Sequence, residues 1–377
     1  MNKLRLALPR TSHHVPQFDE LKGIAMILLL LFHAGGVLVW NNYLHGDLGT
    51  DMFFLVSGIC LSLNSHALSA GEFVRRRLAR ILPAYWIVLT VYLLLHGRYL
   101  ELRYDTANLV AHYLGVHALF GDAWAFAIND SFWFITAILL YYGAYLLLRP
   151  LLKEPERFLL IVAALSAAGA YLIFWRGQGG LMGRWGFRMP DFLVGMLIGH
   201  ALRQGKLTLA PTLPLGLALV LLLYLPYARG IVFHPGAVGL GMILIFVAAV
   251  RPLLSRTAAG KSGLSFLGFV GRHSLEIFLI HQPLMREYNR LILQKLLHTT
   301  EPAEYQLVVG IVVSVAVTLV LAVELHRITG AFVKAVLPRR ESSGRGVAEP
   351  LTEPIHPAVV VDGDPLVEGE PTRKVSA

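Results

Sequence analysis

The chain has 377 residues, 55% of them hydrophobic and 15% charged, with a formal net charge of +9. Soluble domains carry about 25% charged residues, so this composition, with a mean hydropathy of +0.60, excludes an ordinary water-soluble enzyme. Cys60 is the single cysteine, which excludes a disulfide scaffold, and no Cys/His spacing suggests a metal site.

A helix needs about 20 apolar residues to cross the hydrocarbon of a bilayer. That ruler marks ten stretches, at about 19–40, 50–68, 78–96, 131–149, 157–175, 189–204, 212–227, 231–250, 264–285 and 305–327. The expected fold class is an all-α integral membrane protein with about ten transmembrane helices. Three stretches are weaker: the sixth and seventh are short, and the ninth carries Arg272, His273 and Glu276 near its start.

Cytoplasmic loops collect Lys and Arg. With the N-terminus inside, 24 of the 33 basic residues fall on the inner side and 9 on the outer. Both termini are therefore expected in the cytoplasm, and the positive charge is read as topology rather than nucleic-acid binding. Residues 1–17 read as a cytoplasmic leader without a cleavage site, so the first span reads as a retained anchor. Residues 18–330 read as the membrane domain and 331–377 as a cytoplasmic tail. From about 341 that tail is rich in Pro, Gly, Glu and Ser, a composition expected to stay disordered. The longest outer loop, 97–130, holds His112, Tyr113, His117, Trp124 and Phe126. It is expected at the outer interface or dipping into the bilayer.

Ionisable groups at membrane depth are costly and each is a functional candidate. His33 lies eleven residues after Lys22, about 16 Å of rise and roughly half of the ~30 Å core. The plain alternative is a packed, hydrogen-bonded imidazole. His281 lies nine residues after Arg272, about 14 Å in, so the two rings can sit at similar depth if their helices meet. Pro283 just beyond loosens that helix. Asp51 opens the second span, where Ser57 and Gly58 suit close helix approach. Arg75, Arg76, Arg77 and Arg80 precede the third span. They serve either as topology anchors or, with Arg77 and Arg80 on one helix face, as donors to a phosphate-rich ligand. Trp133, in Ser131-Phe132-Trp133-Phe134, suits an outer aromatic belt. Arg188, Asp191 and Glu276 stand as further pairing or binding candidates.

Five segments in this order resemble the membrane acyltransferase type 3 family. They are Phe18-Asp19-Glu20-Leu21-Lys22-Gly23 through Phe32-His33, Asp51-Met52-Phe53-Phe54-Leu55-Val56-Ser57-Gly58, Arg77-x-x-Arg80-Ile81-Leu82-Pro83, Phe132-Trp133-Phe134-Ile135 and Ser274-Leu275-Glu276 through His281-Gln282-Pro283. The likeness covers about residues 17–327. It implies a ten-helix bundle moving an acyl group, acetyl by default, from cytoplasmic acyl-CoA to a hydroxyl of a glycan, glycolipid or related acceptor. It implies His33 as the essential histidine, and Arg77 and Arg80 as contacts for the CoA phosphates. Where the family has Arg-x10-His, this chain has Lys22-x10-His33, which keeps the charge and loses the planar fork.

The expected site is therefore His33 as general base, with Lys22, Arg77, Arg80, Asp51, Trp133 and His281 binding substrates. Acyl-CoA enters as a co-substrate, with no bound cofactor and no metal. Membrane lipids, the donor and the acceptor are the expected partners, and the bacterial cytoplasmic membrane is the expected location. The competing class is a transporter or exporter of a glycan or lipid-linked precursor, whose buried His and Arg would serve passage or proton relay.

Overall fold

The computed structural model describes residues 15–37, 47–65, 67–95, 104–174, 181–207, 213–228, 235–287, 298 and 303–336. Among these, every regular element is helical. Helices α1 (Pro16–Val37), α2 (Asp47–Asn64) and α3 (Ala70–Leu95) form the first third of the bundle. Pro16 opens α1 at the position where its missing N–H costs nothing. The α3 start is held by the Ser69 hydroxyl, which accepts from the Glu72 N–H at 3.2 Å. Glu72 in turn takes Arg75 and Arg76 as partners, at 2.7 and 2.5 Å. Two of the four arginines before the third span thus satisfy a surface carboxylate.

The described part of the long loop, residues 104–130, is a folded cap rather than an irregular strand of chain. It contains α4 (Thr106–Tyr113), a 3-10 turn (His117–Phe120) and α5 (Asp122–Ala125). Asp105 caps α4 by accepting from the Asn108 N–H at 3.2 Å. Trp86 of α3 donates to the Tyr113 carbonyl at 2.7 Å, which moors the cap to the bundle. His112 and His117 stack within it at 3.8 Å between ring centroids, both fully buried.

The chain continues through α6 (Trp133–Leu148), α7 (Pro155–Phe174), α8 (Leu181–Arg203) and α9 (Leu213–Ala228). Then α10 (Pro235–Ile245) runs on through a π-helical turn, Phe246–Val250, into α11 (Arg251–Leu254). The last elements are α12 (Ala258–Arg272), α13 (Ser274–Glu287) and α14 (Glu304–Val336). Over their described residues, the ten apolar stretches are largely helical. Yet among the described residues only four helices are long and apolar enough to cross a membrane, or five if α12 and α13 count as one bent span.

That pair departs most from the sequence reading, which takes 264–285 as a single helix. The axis turns by 79° at His273. The polar run Arg272-His273-Ser274 has no apolar face to continue, and the His273 Nδ1–H folds back to donate to the Phe269 carbonyl at 2.9 Å. Gly271 pins the end of α12 against α1, where a Cβ would strike the Asp19 carbonyl. At the C-terminal side α14 reaches Val336, so residues 331–336 of the expected tail are helical. Residues 337–377, and the leader up to residue 14, lie outside the described residues.

In lipid, apolar burial gives little transfer free energy, and helices associate through close packing instead. The α2–α8 contact shows the device. A Cβ on Gly58 would strike the Phe192 carbonyl, and one on Gly195 would strike that of Leu55. Gly58 therefore has the packing role that its spacing suggests. Next to this seam, Phe54, Phe73, Tyr85, Phe132, Phe134, Tyr141 and Tyr145 form a buried aromatic core between α2, α3 and α6.

Candidate active site

Helices α1 and α13 pack together, and they bring His33 and His281 to 5.0 Å between ring centroids. His33 is half-buried, whereas His281 is fully buried. The His281 Nδ1 lies 2.8 Å from the Phe278 carbonyl and 3.2 Å from that of Ile277. A carbonyl only accepts, so Nδ1 carries the proton and Nε2 is left with its lone pair. That Nε2 is buried without a hydrogen-bond partner. One ring is thus partly exposed, and the other is locked in a single tautomer beside it.

Five residues back along α13, about 7.5 Å of rise, lies a second cluster. The buried Glu276 carboxylate accepts from Arg80 Nη1 at 2.7 Å and from His326 Nδ1 at 3.0 Å. Glu276 is fully buried, while the Arg80 side chain is 34% exposed, so the guanidinium has one face on the carboxylate and another open. His326 of α14 lies beside His273, the two rings tilted at 4.8 Å between centroids. The sequence reading flags Glu276 but not His326. The signal was available as an imidazole near the end of an apolar helix, yet nothing local ties it to a residue 50 positions earlier.

Arg77 and Arg80 do not converge. Arg77 donates to the Ser65 hydroxyl at 2.8 Å and lies over the Phe73 and Tyr142 rings at 5.5 and 5.6 Å. The two guanidiniums are three residues apart but take partners from different neighbouring elements. Only Arg80 adjoins the α13 cluster.

The other expected site residues take partners other than the imidazoles. Lys22 faces Asp19 at 3.9 Å, eleven residues from His33 on the same helix. Asp51 does not line an open entrance: it is fully buried, and Arg188 Nε donates to its Oδ1 at 2.7 Å. Asp51 therefore ties α2 to α8 near the seam of Gly58 and Gly195. Asp191, on α8 with Arg188, packs its carboxylate against Gly236 at the start of α10. Trp133 is half-buried at the start of α6, 6.3 Å from the Phe134 ring.

The described residues thus form a helical membrane bundle in which two imidazoles adjoin and a guanidinium lies nearby along α13. The chain belongs to the acyltransferase type 3 family, whose acyltransferase domain matches residues 15–325. It is similar to "Putative peptidoglycan O-acetyltransferase YrhL" of Bacillus subtilis (strain 168), 26% identical over 193 residues, 44% of this chain and 29% of that one. It is also similar to "Putative membrane-bound transacylase BcsY" of Komagataeibacter xylinus, 41% identical over 69 residues, 18% of this chain and 16% of the relative. The chain thus matches less than a third of either relative's length. No solved structure matches it.

Proposed function

We propose that this membrane acyltransferase moves a short acyl group from acyl-CoA, bound at the Arg80 end of the site, to a hydroxyl of a glycan or lipid-linked acceptor arriving from the opposite side. In this reading the ten helical stretches are ten crossings, both termini are cytoplasmic, and the protein resides in a bacterial cytoplasmic membrane. Relatives described as an O-acetyltransferase and a transacylase support an acetyl group and a cell-surface glycan hydroxyl as first candidates.

The observation that carries the reading is the 5.0 Å pairing of a half-buried His33 with a sealed His281. His33 takes the proton of the acceptor hydroxyl as its oxygen attacks the thioester carbonyl. The new C–O bond forms, the C–S bond breaks, and the imidazolium returns its proton to the departing CoA thiolate. No net proton is gained or lost. Arg80, partly exposed and oriented by Glu276, offers donors to the CoA phosphates.

The test is acyl-CoA consumption by purified protein with candidate acceptors, alongside uptake into vesicles. Replacing His33 by Ala, with expression and folding unchanged, should lower acyl transfer by about 10²–10⁴-fold. Undiminished turnover would remove His33 from the mechanism. Acceptor uptake without acyl consumption would make the protein a transporter.

A further inference from the structure

We infer that the acyl group is held in a pocket one methyl wide beside the two imidazoles, and that Met26, Leu29, Thr50, Phe53, Phe134 and Phe278 set its length at two carbons. This rests on the reading of the protein as an acyl-CoA-dependent transferase. The structure holds a small cavity of about 10 Å³ walled by these side chains, with no polar atom facing it. A space of that size takes about one water-sized group, close to the size of a methyl group.

Its position ties it to the chemistry. Leu29 lies four residues before His33 on α1, on the same helix face. Phe278 lies three residues before His281, with ring centroids 5.8 Å apart. From Phe278 the wall passes to Phe134 at 4.5 Å and from Phe134 to Phe53 at 5.4 Å. An acyl carbonyl held at the imidazoles can therefore place its methyl among these rings. Phe278 also lies between His281 and Glu276 along α13, toward the end where Arg80 sits.

The wall cannot readily give. Met26, Phe134 and Phe278 are buried, and Phe134 is stacked on Phe54 at 5.0 Å and 15°. On the far side, α1 and α2 already touch: a Cβ on Gly49 would strike the Ala25 carbonyl. An added methylene must displace packed rings, and a methylene more or less in an apolar pocket is worth about 10–200-fold in discrimination.

The experiment measures binding of free CoA, and of acetyl, propionyl and butyryl analogues with a ketone in place of the thioester, to the full-length protein in detergent. Phe278→Ala and Met26→Ala open the pocket from two different helices, so one variant remains informative if the other folds poorly. Free-CoA binding checks that each variant is intact. Wild type should bind the acetyl analogue about 10–200-fold more tightly than the propionyl one. That preference should largely vanish in the opened variants, with free-CoA affinity unchanged. Equal binding of the three analogues by wild type, or the same preference in the opened variants, would overturn the pocket while leaving the transferase reading intact. Failure of wild type to bind CoA in any form would overturn the donor reading, and the pocket with it.

Discussion

Arg80 and Glu276 share an ion pair but not an environment, so removing one should differ from removing the other. Glu276 is fully buried and keeps only His326 when Arg80 becomes Ala. Stripping the partner from a buried charge costs about 3–5 kcal/mol. With His326 still donating, the lower half of that range is expected for Arg80→Ala. Glu276→Gln acts differently. Arg80 is 34% exposed and can turn part of its charge to solvent, while Gln still offers one carbonyl oxygen. Its cost should be about 1 kcal/mol, near that of one neutral hydrogen bond. Thermal melting of both variants in the same detergent reads the difference directly. The paired variant Arg80→Met with Glu276→Gln should recover much of the Arg80 loss, because no buried charge is then left without its guanidinium. Equal melting points for Arg80→Ala and Glu276→Gln, or a double variant as unstable as Arg80→Ala, would refute the asymmetry.

Asp51→Ala removes the carboxylate that takes Arg188 at 2.7 Å inside the α2–α8 seam, and should cost about 3–5 kcal/mol. Asp51→Asn, which keeps an acceptor, should cost less, and melting in detergent ranks the two; a neutral Asp51→Ala would mean that the pair holds nothing together. In the cap formed by residues 104–130, burial holds His112 down to about 4 and His117 down to about 3, from an ordinary value of 6.5. Both rings are neutral when folded, so the cap is fully stable above 6.5 and loses stability as pH falls from there toward 4, where only the unfolded chain gains protons. Replacing both by Asn should flatten that dependence, as read by the fluorescence of Trp124 against pH.

The helices were legible because apolar runs of the right length are a local property. So was the family likeness, since five short segments in order need no knowledge of contacts. The rings of His33 and His281 do meet, at 5.0 Å, as equal counts along two helices allow; counting residues could not give their proximity. What sequence hid was lateral. Arg77 and Arg80 share a helix face by spacing, yet partners on different neighbouring elements draw them apart. Asp51 looked like a residue at the mouth of a span, but Arg188, 137 positions away, makes it an internal tie. The break at His273 was signalled by its polar run, and a hydropathy average smooths over three such residues.

The tautomer of His281 bears on the rival view of the protein as a pump or carrier. A proton wire needs each member to accept on one side and release on the other, using two nitrogens in turn. With Nδ1 tied down on its own helix backbone, His281 has a single working nitrogen. A proton arriving there can leave only by the door it entered, so His281 does not by itself pass protons through the bundle.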